Sequence, residues 1–205
     1  MARRAVLEFW YEFASTYSYL SAMRIEEMAA AAEVEVRWRP FLLGPIFAAQ
    51  GWNSSPFNLF PAKGRYMWRD MEREGSRFGL PVKRPDPFPQ NSLVAARVAL
   101  LGAEHPWGPT FTKAVFAQEF GEGRSIAEPA AIAGVLKGIG LDGEAILKTA
   151  SAEPNKTRLK AVTEEARSRG LFGAPTFLTD DGEMFWGNDR LEQAIAWASG
   201  ERPGR

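Results

Sequence analysis

The stretch Glu12-Phe13-Ala14-Ser15-Thr16-Tyr17-Ser18-Tyr19-Leu20 decides the fold, because it joins an apolar strand to a helix. Residues 5–11 before it are apolar and rich in aromatic side chains, which is typical of a buried strand. Residues 22–32 after it are rich in Ala, Glu and Met, which favours a helix. Ser15 is therefore predicted to lie where the strand ends and the helix begins. The unpaired backbone N–H groups and the helix dipole suit an anion at that point, including a thiolate.

Ser15 also has an ordinary structural interpretation. Serine is a common helix N-cap, whose side-chain oxygen accepts a hydrogen bond from a backbone N–H of the first turn. The stretch alone leaves both interpretations open, a cap and a group that acts on a bound anion.

The composition indicates a globular chain of moderate size. The chain has 205 residues, of which 45% are hydrophobic and 24% charged. Lys plus Arg and Asp plus Glu both number 25, so there is no basic excess of the kind that nucleic-acid binding needs. No apolar run is long enough to span a membrane, and Glu8 interrupts the first apolar run, which argues against a signal peptide. We therefore expect a cytoplasmic protein.

The absence of cysteine limits the chemistry. With no Cys in the sequence, disulfides, thiolate metal sites and a cysteine nucleophile are excluded. The single histidine, His105, lies in a sequence typical of a turn after a helix, which argues against a transition-metal site and a Ser-His-Asp triad. No metal is therefore expected, and any sulfur that the chemistry requires must come from a ligand.

The strand patterns lie at the two ends of the chain. Residues 34–39 alternate apolar and charged side chains, which predicts a second strand, parallel to the first through a βαβ crossover. Residues 172–179 and 183–186 predict two more strands, joined by the hairpin turn Asp180-Asp181-Gly182. A last helix is predicted at residues 191–198.

The middle of the chain is predicted to be helical. Between Gly44 and Ser168 no stretch has a convincing strand pattern. The order βαβ, helices, ββα predicts an α/β fold: a thioredoxin-like domain of residues 1–43 and 169–205, with an all-helical insertion of residues 44–168. Helices are predicted within the insertion at residues 61–73, 92–104, 109–119, 128–137, 143–150 and 154–169.

Two short segments occupy places where thioredoxin-like folds carry function. Ser15-Thr16-Tyr17-Ser18 stands where those folds have a Cys-x-x-Cys motif at the start of the first long helix. Ala174-Pro175-Thr176 stands where they have a cis proline before the third strand. The alternative for Pro175 is a proline that simply begins an edge strand.

Four segments, in order along the chain, carry a more specific resemblance. They are the Glu12 to Leu20 stretch, Asn53 with the K-x-x-Y-x-x-x-D pattern of Lys63, Tyr66 and Asp70, Phe172-Gly173-Ala174-Pro175-Thr176-Phe177, and Phe185-Trp186-Gly187-Asn188-Asp189-Arg190-Leu191. With these segments the chain resembles the 2-hydroxychromene-2-carboxylate isomerase family, within the kappa-class glutathione transferase and DsbA-like group. Thr16 departs from the pattern, because many relatives have proline there, and the departure puts the substrate range in doubt.

The resemblance implies glutathione as the cofactor, which would supply the missing sulfur. It assigns Ser15 as the catalytic residue, donating a hydrogen bond to the sulfur and so favouring the thiolate. The implied glutathione-binding residues are Ala174 with Pro175 for the cysteinyl amide, Asp189 and Asn188 near the γ-glutamyl amine, and Lys63 with Asn53 at the glycyl carboxylate.

Three of these positions have structural alternatives. Asp189 and Glu192 have the spacing of a capping box, so Asp189 is also interpreted as the start of the last helix. Lys63 is also explained as a solvated charge on a helix, and Asn53 as a turn residue.

The implied reaction converts 2-hydroxychromene-2-carboxylate, or a related aromatic-degradation intermediate, to trans-o-hydroxybenzylidenepyruvate. Reversible thiolate addition, bond rotation and elimination would leave glutathione unconsumed. The alternatives are a kappa-like glutathione transferase that conjugates electrophiles and a non-catalytic thioredoxin-like binding module. The resemblance also implies a homodimer.

Two groups of side chains are candidates for contacts with an aromatic substrate. Cations for its carboxylate are Lys63, Arg65 and Arg190, and aromatic residues for its ring are Trp52, Phe57, Phe60 and Trp68.

Overall fold

A four-stranded mixed sheet forms the centre of the molecule. The computed structural model describes residues 4–201. The strands are β1 (Val6–Tyr11), β2 (Glu35–Pro40), β3 (Thr176–Thr179) and β4 (Met184–Trp186), in the order β2-β1-β3-β4. β1 is parallel to β2 and antiparallel to β3, and β3 is antiparallel to β4. The βαβ and hairpin predictions are confirmed.

The first helical segment differs from its prediction. A single helix over residues 22–32 is predicted, but the structure has two helices, α1 (Thr16–Ala22) and α2 (Ile25–Ala31). α1 begins at once after Ser15, because that residue caps it. The break between the helices falls beside Arg24, whose guanidinium is held 3.7 Å above the ring of Phe78 and bonded to Glu192.

Helices are the only regular elements of the described chain between β2 and β3. Two of them, α3 and α4, are absent from the prediction. The third, α5, runs five residues beyond its predicted end to Phe78, and Gly79, with a φ of 67°, caps it. The helices are α3 (Leu43–Ala49), α4 (Pro56–Leu59), α5 (Pro61–Phe78), α6 (Leu93–Gly102), α7 (Gly108–Phe116), α8 (Pro129–Gly138), α9 (Gly143–Ala150) and α10 (Glu153–Ser168). A π-helical turn, Ala117–Gly121, continues α7, and α11 (Leu191–Ser199) follows β4.

The sheet and the helices share one hydrophobic core. The rings of Phe9 and Phe177 stack across β1 and β3 with centroids 5.5 Å apart. Buried side chains of the helical segment, such as Met67, Phe111 and Phe116, belong to the same cluster. Burial of these side chains stabilises the sheet and the helices together. The division into a thioredoxin-like domain of residues 1–43 and 169–205 and an insertion of residues 44–168 stays a prediction.

The predicted absence of a membrane span agrees with the structure. Over residues 4–201 no helix combines the length and the apolar character that crossing a membrane requires.

Candidate functional site

A cleft of about 1400 Å³ lies between the start of α1, the helices that follow β2, and the segments around β3 and β4. Its lining joins parts of the chain that are far apart in sequence. It includes every predicted site residue, namely Ser15, Asn53, Lys63, Ala174, Pro175, Asn188 and Asp189.

Ser15 serves both as a cap and as a cleft residue. Its Oγ accepts a hydrogen bond of 3.2 Å from the backbone N–H of Ser18, which caps α1. The same Oγ donates a hydrogen bond of 2.9 Å to the carbonyl oxygen of Ala174. The two interpretations of Ser15 are therefore compatible, because the cap uses a lone pair and leaves the hydroxyl proton for another acceptor.

Ala174 and Pro175 cross the cleft immediately before β3. The peptide bond between them is cis. The backbone N–H of Gly187 donates to the Pro175 carbonyl over 3.0 Å, which ties this segment to the turn after β4. The Ala174 carbonyl accepts the hydrogen bond from the Ser15 hydroxyl and so faces the start of α1.

The turn after β4 presents Asp189 at the surface of the cleft. Gly187 has a φ of 109°, a conformation that favours glycine, and leads into the 3-10 turn Asn188–Arg190. The Asp189 side chain is 74% exposed and lies 3.5 Å from a guanidinium nitrogen of Arg190. Arg190 is the N-cap residue of α11 and makes no capping bond, so the capping-box interpretation of Asp189 is wrong.

Asn188 is buried and already bonded through its oxygen. Its Oδ1 accepts hydrogen bonds of 3.0 Å from Ser21 Oγ and 3.3 Å from Arg24 Nη1. These bonds hold the turn after β4 against α1. Because the oxygen is engaged, the amide group of Asn188 has only N–H donors left to offer a ligand.

Lys63 and Asn53 lie on the helical side of the cleft, and both are exposed. Lys63 Nζ is 4.9 Å from the ring centroid of Phe60. Exposed groups of this kind can bind a charged ligand end, and the interaction is sensitive to salt.

Glu12 is a cleft residue that the sequence interpretation gave no role. It directly follows β1 and is only 6% exposed. Its carboxylate accepts a hydrogen bond from Ser92 Oγ and one from the backbone N–H of Ala14. Burial raises the pKa of Glu12 to about 7, although these hydrogen bonds oppose the shift. An acidic residue at the end of an apolar run was the signal available in the sequence.

A second buried carboxyl group, Glu119, lies in the π-helical turn after α7. It is fully buried, and neither of its oxygens has a hydrogen-bond partner within the described chain. Burial, and then the charge of Glu12, raise its pKa well above the ordinary range. Both effects favour the protonated form of Glu119, and the residue is close enough to Glu12 to be affected by its charge.

Arg24 is another cleft residue without a sequence-based role. Its Nη2 donates to Glu192 over 3.0 Å, and its guanidinium stacks on Phe78. Burial lowers the pKa of Arg24, with Glu192 opposing the shift. The sequence placed Arg24 inside the helix predicted over residues 22–32 and gave no signal for a place in the cleft.

The aromatic lining is partly as predicted. Trp52 and Phe57 line the cleft, whereas Phe60 and Trp68 do not. Several rings that were not predicted also line it, among them Phe172 and Trp186, which are about half exposed and have centroids 5.0 Å apart. Among the candidate cations, Lys63 and Arg190 line the cleft and Arg65 does not.

Comparison with known protein families assigns this chain to one of them. The family model described as a DSBA-like thioredoxin domain matches residues 6–195. The chain belongs to this family. The DSBA-like assignment confirms the thioredoxin-like fold that the strand order predicted.

Particular relatives match nearly the whole chain. The 2-hydroxychromene-2-carboxylate isomerase of Sphingobium xenophagum is 27% identical over 188 residues, covering 91% of this chain and 94% of the relative. Human glutathione S-transferase kappa 1 is 27% identical over 209 residues, covering 96% of this chain and 91% of the relative. A solved 2-hydroxychromene-2-carboxylate isomerase has a TM-score of 0.83 and 26% identity, covering 96% of this chain and 95% of that one. The resemblance drawn from the four motifs is confirmed.

Proposed function

We propose that this chain is a glutathione-dependent isomerase that acts on 2-hydroxychromene-2-carboxylate or a related aromatic-degradation intermediate. The observation that carries the proposal is the contact between Ser15 Oγ and the Ala174 carbonyl, 2.9 Å apart in the cleft at the start of α1. It brings together a hydroxyl donor, a helix N-terminus and a backbone acceptor on the cleft wall, which are the groups that an extended peptide with a thiol needs.

The residues present fit glutathione in charge and in position. Ala174 offers its backbone to the cysteinyl amide. Asp189 offers an exposed carboxylate to the γ-glutamyl amine, and Lys63 with Asn53 offers a cation and an amide to the glycyl carboxylate. Asn188, whose oxygen is engaged, suits the γ-glutamyl carboxylate through its N–H groups rather than the amine.

When bound, glutathione supplies a thiolate that adds reversibly to a conjugated carbon, so that a double bond becomes able to rotate. Ser15 donates its hydroxyl hydrogen bond to the sulfur once it leaves the Ala174 carbonyl. The first turn of α1 adds the partial positive charge of its free N–H groups. Phe172 and Trp186 offer their faces to a planar ring, and Arg190 offers a cation to the substrate carboxylate.

A conjugating glutathione transferase is the second candidate. Human glutathione S-transferase kappa 1 and the Sphingobium xenophagum isomerase are each 27% identical to this chain. Sequence identity therefore supports the transferase as much as it supports the isomerase. The two reactions share the thiolate and differ in whether the sulfur leaves again.

The deciding experiment is a glutathione titration monitored by thiolate absorbance near neutral pH, on the wild type and Ser15→Ala. Saturable binding with a thiolate signal that Ser15→Ala largely loses supports the site. The product is then analysed by mass spectrometry: unchanged mass indicates isomerisation, and addition of the tripeptide indicates conjugation. No binding at millimolar glutathione contradicts both enzymes and favours a non-catalytic binding module.

We further propose that the protein is a homodimer in the cytoplasm, where glutathione is kept reduced. Light scattering coupled to size exclusion measures the mass in solution. A monomeric mass at the concentration of the activity assay contradicts the dimer.

A further inference from the structure

Glu12 lines the same cleft as Ser15 and the Ala174 carbonyl that Ser15 contacts. It lies three residues before Ser15, and the Ser15 backbone N–H donates to the Glu12 carbonyl over 3.0 Å. Its side chain is buried, bonded to Ser92 and to the backbone of Ala14, and its pKa is about 7. A group of that kind exchanges protons readily near neutral pH.

Compared with Glu119, Tyr11 and Tyr19, Glu12 is the acidic group whose pKa lies near neutral pH. Glu119, from the turn after α7, has its pKa raised well above the ordinary range by burial and by the charge of Glu12, which favours its protonated form. The pKa of Tyr11 on β1 and that of Tyr19 on α1 are raised by burial, to about 12 for Tyr19, so both phenols stay neutral. Ser92, at the start of α6, adds a hydrogen bond but no charge.

We propose that the Glu12 carboxylate accepts the proton that the glutathione thiol gives up in the cleft. The inference rests on the proposed function. In this step the S–H bond breaks, its electron pair stays on the sulfur, and the proton bonds to a carboxylate oxygen of Glu12. The proton returns to the sulfur when the thiol leaves, so no other proton donor or acceptor is needed.

The physical reason is the low solvation of the cleft wall beside Glu12. A thiolate and an ionised Glu12 would be two neighbouring negative charges, and each disfavours the ionisation of the other. Moving the proton from one to the other keeps a single negative charge in the site. The negative thiolate raises the proton affinity of Glu12 further, which favours the transfer.

The test counts the protons released when glutathione binds, by titration calorimetry in buffers of different ionisation enthalpy. At about pH 6 the wild-type Glu12 is already protonated, so forming the thiolate releases close to one proton. At about pH 8 Glu12 takes that proton, and the count falls close to zero. Glu12→Gln has no carboxylate to accept the proton, so at both pH values the number of protons released should equal the protonated fraction of the free thiol.

Two further variants keep the test sharp. Glu119→Gln replaces a buried carboxyl group, whose protonated form is favoured, with a neutral amide, so its proton count should follow the wild type. Ser92→Ala removes a hydrogen bond that favours the charged Glu12, so the pH at which the count changes moves upward. Circular dichroism of each variant checks that it is folded.

The outcomes separate this inference from the function it rests on. A wild type that forms the thiolate but releases the same number of protons as Glu12→Gln at every pH overturns the role of Glu12 alone. A wild type that does not bind glutathione overturns both. A Ser92→Ala curve that moves to lower pH also contradicts the assignment to Glu12.

Discussion

The hydroxyl group of Ser15 donates a 2.9 Å hydrogen bond to the carbonyl oxygen of Ala174, 159 residues further along the chain. The same hydroxyl accepts the N–H of Ser18 at the start of α1. The capping bond fixes the position of Ser15 Oγ, whereas its hydroxyl hydrogen can turn from the Ala174 carbonyl to another acceptor. The bond therefore connects the helix N-terminus with the segment before β3 while leaving a donor for a ligand.

Ser15→Ala should lose the thiolate and some stability. A hydrogen bond to a charged group contributes about 1.5–3 kcal/mol, so the pKa of bound glutathione should rise by roughly one to two units. Loss of the cap should cost about 1 kcal/mol of unfolding free energy. Thiolate absorbance against pH and urea unfolding measure the two effects.

The matched control for Ser15→Ala is Asp142→Ala. Asp142 caps α9 by accepting from the backbone N–H of Ala145 over 3.1 Å, and it does not line the cleft. It should lose similar stability and leave the thiolate signal unchanged. An equal loss of thiolate in both variants would mean that Ser15 acts only through helix stability.

Asp189→Asn should weaken glutathione binding about 3- to 10-fold at low salt, because it removes the carboxylate offered to the γ-glutamyl amine. The exposure of this side chain predicts a smaller difference at high salt. Deaminated glutathione is the control ligand and should bind the wild type and the variant alike. Calorimetry that finds the same weakening for both ligands contradicts the pairing with the amine.

Thr16→Pro should be tolerated. Thr16 is the first residue of α1, where proline is favourable, and Ser15 before it has the extended conformation that precedes proline. The variant loses the contact of Thr16 Oγ1 with Met67 Sδ at 3.2 Å, so we expect a stability change within about 1 kcal/mol. Urea unfolding and glutathione titration check it; a loss above about 2 kcal/mol would show that the backbone cannot accept proline.

Gly173→Ala should disturb the aromatic pair at the cleft. A Cβ at this position would overlap the indole of Trp186, nearest at Nε1, so the ring or the segment must move. We expect binding of trans-o-hydroxybenzylidenepyruvate to weaken about 2- to 10-fold through the lost ring contact. The control is Gly134→Ala in α8, where the added Cβ meets nothing within 4 Å. It should gain up to about 1 kcal/mol of stability and bind normally.

The contribution of Glu12 to the unfolding free energy should fall as the pH rises toward neutrality. The pKa of Glu12 is about 7 in the folded chain and 4.5 as its ordinary value, so between them the folded state binds more protons than the unfolded state. The contribution of Glu12 to the unfolding free energy is therefore highest below about pH 4.5 and declines by about 3 kcal/mol as the pH rises to about 7.

Urea unfolding between about pH 5 and 8 measures that decline. Glu12→Gln should show a shallower decline than the wild type, and so should Glu119→Gln, whose pKa is shifted in the same direction. Identical slopes in the wild type and both variants would contradict the burial of these two carboxyl groups.

Much of the fold follows from local patterns in the sequence. The apolar run of β1, the alternation of β2 and the Asp180-Asp181-Gly182 turn each specify structure through neighbouring residues. Ser15 as a cap also follows, because capping depends on the next three residues. α3 and α4 were missed because they are short and lack a clear apolar period.

The sequence by itself determined the order of strands and helices along the chain, the position of Ser15 at a helix start, and the fact that any sulfur the chemistry uses must come from a ligand. Only the tertiary structure decided that Asn53 and Lys63 line the same cleft as Asn188 and Asp189. It alone decided that Glu12 is buried against Ser92, 80 residues away, and titrates near neutral pH. The reason is physical: helix and strand periods depend on near neighbours, whereas a cleft and a shifted pKa depend on which distant elements exclude water.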